Sequence, residues 1–324
     1  MATLRRTLPR PVHLILDWDG TLTKKDTLSI LGNLPKARDA RLGIPHTPSH
    51  HWNDDFLKPY MDDYGRHKQS SSLYPTAADP EKYSQWLASL RTVEYNSAER
   101  VSDSGFFCGV NEIDVTTVAH EALDAGEMQL RNGWLDLFNM FLPAASPPLG
   151  SRISILSVNW SATFIRSSLR QAAARYLQDG DGRQQLMVYV GGMEIQANEI
   201  EGLGSVERGS SGRLVGTVRT AADKLQHRPI VRKPGHASER PIDVYVGDSA
   251  TDYECLRHAT IGIWLCDCAE TEYEQKLKET FKPLELEIRP IDQFRSHADS
   301  GLCWASDLGQ VAKLLERLQH WREQ

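Results

Sequence analysis

The 324-residue chain has few cysteines and no strong excess of charge of either sign. Its five cysteines are odd in number and scattered, so we expect no disulfide framework and a reducing compartment. The 37 basic and 43 acidic residues give a formal net charge of −6, which argues against a general footprint for nucleic acid or an anionic membrane. An anionic ligand would therefore need a local binding site.

Long apolar runs are also missing. No stretch approaches the 18 apolar residues of a membrane span, and the first residues, MATLRRTLPRP, contain no apolar segment typical of a secretory signal. The arginines in this segment hint at a mitochondrial presequence, but the first apolar run begins at Val12 and leaves almost no removable leader. We therefore expect a cytoplasmic protein in preference to a mitochondrial one, with neither a membrane nor a nucleic acid as partner.

What the chain does have is enough apolar sequence for a full core. It is 40% hydrophobic and 25% charged, and its length predicts either one large domain with an insertion or two domains. Short apolar runs typical of buried strands occur at 12–16, 153–158, 186–190, 243–247 and 261–265. Helical patterns lie between them, one ending near Gln178 and another beginning near Asp307, a candidate N-cap. This alternation predicts an α/β fold with a Rossmann-like parallel sheet flanked by helices.

A different kind of sequence separates the first two strands. Residues 25–127 are rich in helix formers and polar residues and poor in β-branched runs, which predicts a mainly helical inserted domain. Residues 1–24 and 128–324 would then form the sheet domain, beginning its second part with a core helix within 134–142. The glycine- and serine-rich segment 204–216 is typical of a hairpin tip or a flexible loop.

Polar side chains follow three of the predicted strands at the points where the strands end. Asp17 and Asp19 follow the first strand, Ser157 and Asn159 lie at the end of the second, and the segment GDSATD (247–252) ends the fourth. Ligands of open parallel sheets bind beyond the carboxyl ends of strands, so these groups should converge on one site. Because buried carboxylates are costly to desolvate, we expect a cation beside them.

The chain resembles the haloacid dehalogenase superfamily in these motifs. Within that superfamily it looks like the phosphoserine phosphatase-like branch, in which a helical cap is inserted after the first strand. The segments that carry the resemblance are DWDGTLTKKDT (17–27), GFFCGVN (105–111), LRNGW (130–134), ANEIE (197–201) and GDSATD (247–252).

The resemblance implies a role for each carboxylate. Asp17 would be the nucleophile that forms an aspartyl-phosphate, and Asp19 the general acid and base. The carboxylates of Asp17 and Asp248, together with the backbone carbonyl of Asp19, would bind Mg²⁺. Asp252 would orient the metal waters or a lysine from outside the ligand shell.

Several donors would hold the phosphoryl oxygens. These are Ser157, Asn159, backbone N–H groups of the turn from Trp18 to Gly20, and one lysine. Two lysines precede the fourth predicted strand, and the family spacing favours Lys224, 24 residues before Asp248, over Lys233.

Other candidate residues have plainer interpretations. We expect the histidines at 46, 50 and 51 to lie in a solvated loop, and the residues at helical spacing Trp52, Phe56 and Tyr60 to form cap core rather than a substrate platform. Arg131 is predicted to be a surface or capping residue in preference to a contact with a substrate anion, and Asp26 to be an N-cap. Asn198 fits either a turn or a hydrogen-bonding support of the site. The pair Cys266 and Cys268 lacks the second cluster that a metal site needs.

These observations favour a magnesium-dependent phosphatase that acts on a small phosphorylated metabolite. A dehalogenase would need neither a proton for the leaving group nor a cation, so Asp19, Asp248 and Asp252 argue against it. A phosphotransferase or phosphomutase stays open, as does a non-catalytic binding protein that keeps the fold. Neither the substrate nor the oligomeric state is assigned by the sequence.

Overall fold

Seven strands form one parallel sheet in the computed structural model, which describes residues 10–176, 181–205, 207–228, 241–294 and 301–320. In chain order the strands are β1 (Val12–Leu16), β2 (Arg152–Leu156), β3 (Glu194–Gln196), β4 (Ile242–Gly247), β5 (Ile261–Leu265), β6 (Arg289–Pro290) and β7 (Gly301–Ala305). Their spatial order is β6-β7-β5-β4-β1-β2-β3, and every neighbouring pair is parallel. The predicted α/β class is confirmed.

Strand β1 lies between β4 and β2. Leu16 at its end is opposite Val246 of β4 and Ile155 of β2, so the three strands end side by side. All five residues of β1 are buried, as expected for a strand covered on both faces. The segments that follow these three strands therefore meet at one edge of the sheet.

Helices cover both faces of the sheet and fill the insertion. The α-helices among the described residues are α1 (Leu34–Leu42), α2 (Lys58–Ser70), α3 (Pro80–Ser89), α4 (Arg91–Ser104), α5 (Glu112–Asp124), α6 (Trp134–Asn139), α7 (Ala162–Tyr176), α8 (Asp181–Gly192), α9 (Ala221–His227), α10 (Tyr253–His258), α11 (Tyr273–Thr280) and α12 (Leu308–His320). Side chains of β1 alternate between two cores. Leu14 and Leu16 pack in the core that α6, α7, α8 and α12 cover, and Ile15 in the one that α9, α10 and α11 cover.

The helical insertion after the first strand is confirmed, since α1 to α5 all lie between β1 and α6. Its two ends run side by side, because Thr23 pairs with Leu130 and the amide of Lys24 donates to the carbonyl of Gln129 at 2.9 Å. The predicted domain boundaries after residues 24 and 127 fall beside this pairing and stay a prediction. A two-residue ladder between Phe107–Cys108 and Ser211–Gly212 joins the insertion to the sheet domain.

The strand predicted at 186–190 is wrong. These residues lie within α8, where Leu186 and Val190, four residues apart, are buried and Val188 is 70% exposed. This is the helical period, and packing of one helical face overrides the strand propensity of valine and tyrosine. The third strand is instead the short β3, which pairs with β2.

Two other sequence predictions concern helix and loop boundaries. Helix α7 ends at Tyr176, and the predicted end near Gln178 lies outside the described residues. The helix predicted from Asp307 is confirmed as α12, with the Asp307 carboxylate accepting the amide of Gln310 at 2.9 Å. The segment predicted as a hairpin tip or a flexible loop contributes Leu214–Val215, which pairs antiparallel with Glu199–Ile200.

The sequence predicted neither a membrane span nor a disulfide framework. No helix there is long and apolar enough to cross a membrane. All five cysteines lie within the described ranges, and each is a free thiol.

Candidate active site

Asp17 sits directly after β1, where its amide donates to the carbonyl of Val246 at 2.9 Å. The chain then turns tightly, with Gly20 in the left-handed region at φ +73°. A Cβ on Gly20 would collide with the carboxylate of Asp248, so the turn and the acidic group next to it require glycine here. The turn from Asp17 to Gly20 therefore lies against the end of β4.

Arg131 stabilises this turn through hydrogen bonds. Its guanidinium donates to the carbonyls of Thr21, at 3.1 Å, and of Gly20. The residue is 5% exposed, so the predicted surface position is wrong, whereas the bonds to these two carbonyls agree with the capping alternative. At the end of the insertion Leu130 pairs with Thr23, and this pairing places the next residue, Arg131, beside the turn.

Lys224 reaches the site from α9, which begins with a capping box between Thr220 and Asp223. Its ammonium is fully buried, 2.8 Å from an oxygen of Asp17 and 2.7 Å from an oxygen of Asp252. Burial by itself would lower the pKa of Lys224, but the two carboxylates outweigh it and raise that pKa above its usual range. The alternative, Lys233, lies outside the described residues.

Three carboxylates form an acidic cluster at the carboxyl ends of β1 and β4. One oxygen each of Asp17, Asp248 and Asp252 lies within 4.8 Å of the others. Burial, followed by the charge of Asp252, raises the pKa of Asp17 well above its usual range and that of Asp248 to about 7. Lys224 supplies one positive charge against three carboxylates, so a divalent cation would complete the charge balance.

The oxygens of Asp252 are already bonded. Its Oδ1 accepts from Lys224 and from the hydroxyl of Tyr245 at 2.6 Å, and its Oδ2 accepts the amides of Asp248 and Ser249 at 3.2 and 3.0 Å. Such a carboxylate is well suited to hold Lys224 and the Asp248 loop in place. Sequence reasoning missed Tyr245, whose only signal was an aromatic residue two positions before the GDSATD motif.

The oxygen chemistry of the cluster fits magnesium. Mg²⁺ is a hard cation that takes carboxylate oxygens, water and phosphate oxygens. Asp248 accepts the hydroxyl of Thr21 on one oxygen at 2.9 Å, and its other oxygen faces the Cβ-free side of Gly20. The ligand set of Asp17, Asp248 and the Asp19 carbonyl stays a prediction, as does the identity of the ion.

Asp19 lies in a separate hydrogen-bonded environment. Its Oδ1 accepts both the amide and the hydroxyl of Thr27, at 2.7 and 2.6 Å, and its Oδ2 accepts the side-chain amide of Asn159 at 2.9 Å. Burial raises the pKa of Asp19 to about 6, with the charge of Asp26 adding to the shift and the hydrogen bonds opposing it. A carboxyl group with such a pKa can give up and take back a proton near neutral pH.

Thr27 is a residue that sequence reasoning missed. Besides bonding Asp19, its hydroxyl oxygen accepts the indole N–H of the fully buried Trp18 at 2.9 Å. The prediction of Asp26 as an N-cap is wrong by one residue, because the N-cap of the short helix Leu28–Asn33 is Thr27; the Asp26 carboxylate accepts the amide of Leu28 at 2.7 Å from one position further out. Thr27 is the last residue of the motif segment 17–27, and this position was the signal in the sequence that could have identified it.

Ser157 and Asn159, which follow β2, make different hydrogen bonds. Ser157 is fully buried, and its hydroxyl oxygen accepts the amide of Asn159 at 3.1 Å, which leaves the hydroxyl proton able to donate to another acceptor. The side chain of Asn159 is engaged by Asp19, which favours a positioning role over the predicted contact with the phosphoryl group. Asn198 supports this loop, since its amide donates to the carbonyls of Val158 and Asn159 at 3.0 and 3.1 Å.

The remaining candidates lie in the insertion. Trp52, Phe56 and Tyr60 line a cavity next to the site, and Phe56 is also part of the core. The core that the sequence favoured thus includes Phe56, with Trp52 packed against it, whereas Tyr60 is seen as part of the cavity lining. His46 pairs with Asp39 at 2.7 Å, and across the described ranges the acidic cluster is the one group of side chains arranged to hold a metal ion.

The strand order and the site together define the class of fold. A parallel sheet carries the Asp17 segment after a central strand, Ser157 and the acidic motif follow the two neighbouring strands, and a helical insertion follows the first strand. This arrangement agrees with the one that the resemblance to the haloacid dehalogenase superfamily implied.

Comparisons with known proteins give distant relatives, and no family model matches the chain. It is similar to Cold tolerance protein 1 of Saccharomyces cerevisiae, with 24% identity over 90% of this chain and 89% of that one. It is also similar to the Bifunctional TH2 protein, mitochondrial, of Arabidopsis thaliana, with 25% identity over 76% of this chain but 38% of that protein. The compartment of the present chain stays a prediction.

Solved structures with a similar course of the chain include phosphoserine phosphatases. One, described as a phospho-aspartyl intermediate analogue of phosphoserine phosphatase, is 13% identical over 85% of this chain and all of that one, with a TM-score of 0.37. A phosphoserine phosphohydrolase-like protein from Francisella tularensis is 15% identical over 94% and 99% of the two chains, with a TM-score of 0.41. Similarity at this level assigns no activity to the chain.

Proposed function

We propose that this protein is a magnesium-dependent phosphatase that hydrolyses a small phosphomonoester through an aspartyl-phosphate on Asp17. The observation that carries the proposal is the convergence of Asp17, Asp19, Ser157, Lys224 and Asp248 at one edge of the sheet. A nucleophile, a proton donor, phosphoryl-binding groups and a cation site are the parts that phosphoryl transfer needs.

In the first step an oxygen of Asp17 attacks phosphorus and the bond from phosphorus to the ester oxygen breaks. The leaving oxygen takes a proton from Asp19, whose raised pKa of about 6 keeps part of it protonated near neutral pH. Thr27 and Asn159 fix both oxygens of Asp19, so its proton is presented in one direction. The alcohol leaves, and the phosphoryl group is held as an acyl phosphate on Asp17.

In the second step Asp19, now a carboxylate, takes a proton from a water molecule that attacks phosphorus. The bond to Asp17 breaks, inorganic phosphate is released and both carboxylates return to their starting states. Lys224 stays charged throughout, because the neighbouring carboxylates raise its pKa, and it can stabilise the phosphoryl oxygens together with the Ser157 hydroxyl. A magnesium ion bound by Asp17 and Asp248 would neutralise phosphoryl charge in both steps.

The basic test is hydrolysis of p-nitrophenyl phosphate by the purified full chain, with magnesium and with EDTA. We expect turnover that needs magnesium and returns when the ion is restored. No turnover with magnesium, for this ester and for a panel of metabolite phosphates, would favour a non-catalytic protein. Transfer of the phosphoryl group to an added alcohol or sugar phosphate in preference to water would identify a phosphotransferase.

A further inference from the structure

A cavity of about 460 Å³ lies between the helical insertion and the sheet domain. Its lining includes Val158, which stands between Ser157 and Asn159, and Thr251, which precedes Asp252. The cavity therefore adjoins the carboxyl edge of the sheet at the proposed reaction site. A volume of this size is in the range of pockets that hold small organic ligands, roughly 300 to 1,000 Å³.

Aromatic side chains form much of the cavity wall. Trp52 of the insertion and Trp160, which follows β2, have ring centroids 5.8 Å apart, and Trp52 and Phe56 have centroids 6.0 Å apart. Trp160 is 9% exposed and Phe56 3%, so their positions are fixed by packing. Flat apolar rings are favourable partners for another aromatic ring, which stacks on them or meets them edge to face.

The cavity also contains a polar region, formed by Glu94 and Arg219. The hydroxyl of Tyr60 donates to Glu94 at 2.9 Å, which occupies one of its oxygens. Arg219 is 6% exposed and its guanidinium carbon lies 5.1 Å from the ring centre of Tyr95. Its Nε–H is buried and has no hydrogen-bond partner among the described residues. As a lining residue of the cavity, Arg219 offers a cationic guanidinium that can donate a hydrogen bond to an acceptor on a ligand.

We propose that this cavity binds the alcohol portion of the substrate, and that this portion contains an aromatic ring with a hydrogen-bond acceptor. The inference rests on the proposed phosphatase function and adds the class of substrate. The ring would lie against Trp52 and Trp160, and its acceptor would bond Arg219. An amino-acid ester such as phosphoserine would meet the charges of Glu94 and Arg219 but leave the aromatic wall without a partner.

The test compares esters whose leaving alcohols have similar intrinsic reactivity. These are n-propyl phosphate, 2-phenylethyl phosphate, 2-(pyridinyl)ethyl phosphates with nitrogen at each ring position, and phosphoserine. We expect kcat/KM for the phenylethyl ester to exceed that of the propyl ester about tenfold or more, because the ring is buried against aromatic side chains. At least one pyridinyl isomer should be better still. Equal rates for the propyl and phenylethyl esters, or a preference for phosphoserine, would overturn the proposal.

Two variants locate the effect in the cavity. Trp52→Leu, which keeps an apolar side chain, should lower the ratio of phenylethyl to propyl kcat/KM about threefold or more. Arg219→Met should remove the preference for the pyridinyl isomer over the phenylethyl ester. Met61→Ala, at a side chain of α2 that is 55% exposed, is the matched control and should keep both ratios. Ratios that are the same in all three variants and in the wild type would place the aromatic selectivity elsewhere.

Binding separates failure of this inference from failure of the proposed function. If no ester is hydrolysed, the phosphatase proposal fails, and the cavity is then tested with 2-phenylethyl phosphonate and n-propyl phosphonate by calorimetry in magnesium. Tighter binding of the phenylethyl compound, weakened by Trp52→Leu, would support the aromatic site without catalysis. Equal binding of the two compounds, or none, would overturn it.

Discussion

The ammonium of Lys224 lies 2.8 Å from the carboxylate of Asp17 and 2.7 Å from that of Asp252, with no solvent exposure. It therefore connects the segment after β1 to the loop after β4. Lys224 compensates two buried carboxylates, and under the proposed function it would also stabilise the phosphoryl oxygens. The contacts of Lys224 with these two carboxylates lead to the first prediction.

Lys224→Ala should lower kcat on p-nitrophenyl phosphate on the order of a hundredfold or more, because it removes charge from the phosphoryl oxygens. Lys233→Ala should change it far less, as the spacing of the motif predicts. Since the loss of Lys224 also leaves Asp17 and Asp252 uncompensated, thermal unfolding of both variants is measured in parallel. A larger loss in the Lys233 variant would show that the wrong lysine had been chosen.

Asp17→Asn should abolish turnover, about a thousandfold or more, with the fold retained. The substitution keeps the shape of the side chain and its contact distance to Lys224 but removes the anionic nucleophile. Activity is measured by phosphate release, circular dichroism reports the fold, and mass spectrometry excludes deamidation back to aspartate. Turnover near the wild-type rate would mean that no aspartyl-phosphate forms at this residue.

Asp248→Asn should raise the magnesium concentration needed for half-maximal activity, since an amide is a weaker ligand than a carboxylate. A magnesium titration of steady-state rates measures the effect. Asp136→Asn, at an exposed acidic residue of α6, is the control for the loss of one negative charge. The same titration curve for the Asp248 variant and the wild type would remove Asp248 from the ligand shell.

Thr27→Val should impair the proton donor while the nucleophile stays in place. The change removes the hydroxyl contact to Asp19 and the acceptor for the Trp18 indole. We expect about a tenfold loss of kcat for an alkyl phosphate, whose leaving group needs a proton, and a smaller loss for p-nitrophenyl phosphate. Thr27→Ser, which restores the hydroxyl, should recover the alkyl ester activity. Equal losses for both esters would indicate a general structural defect.

His13 should make stability depend on pH. Its Nε2 accepts from Arg152 and contacts Ser154 at 2.9 Å, and burial, with the Arg152 charge, lowers its pKa from 6.5 to about 3. The unfolded chain then binds more protons between these values, so stability is full above about pH 6.5 and falls as the pH is lowered toward 3. The contribution changes by about 1.4 kcal/mol per pH unit within that window.

The measurement for His13 is urea unfolding of the wild type and of His13→Gln from pH 7 to pH 5. The free energy of unfolding of the wild type should decrease more steeply with falling pH than that of the variant. Parallel curves would show that His13 is not held neutral in the folded protein. The wild type must be compared with the variant, because carboxylates of the protein also titrate in this pH range.

Local sequence patterns were sufficient to predict the class of fold, the position of the insertion and the acidic motifs. Short apolar runs and the helical period of 3.6 residues are local patterns, and they were strong enough to identify β1, β2, β4, β5 and α12. The Asp17 and Asp248 motifs are also local, and strand ends in a parallel sheet must lie at one edge. Residues 186–190 show where local propensity failed, because only packing decides which face of α8 is buried.

Tertiary structure alone decided the partners of these carboxylates. Lys224, Tyr245 and Thr27 act through contacts across the sheet edge or within a folded turn, and Arg131 reaches under that turn from the far side of the insertion. Trp52 and Trp160, more than a hundred residues apart in the chain, become neighbours only when the insertion packs over the sheet. The physical reason is that a motif fixes the chemistry of a side chain, whereas its burial, hydrogen bonds and pKa depend on residues that folding brings to it.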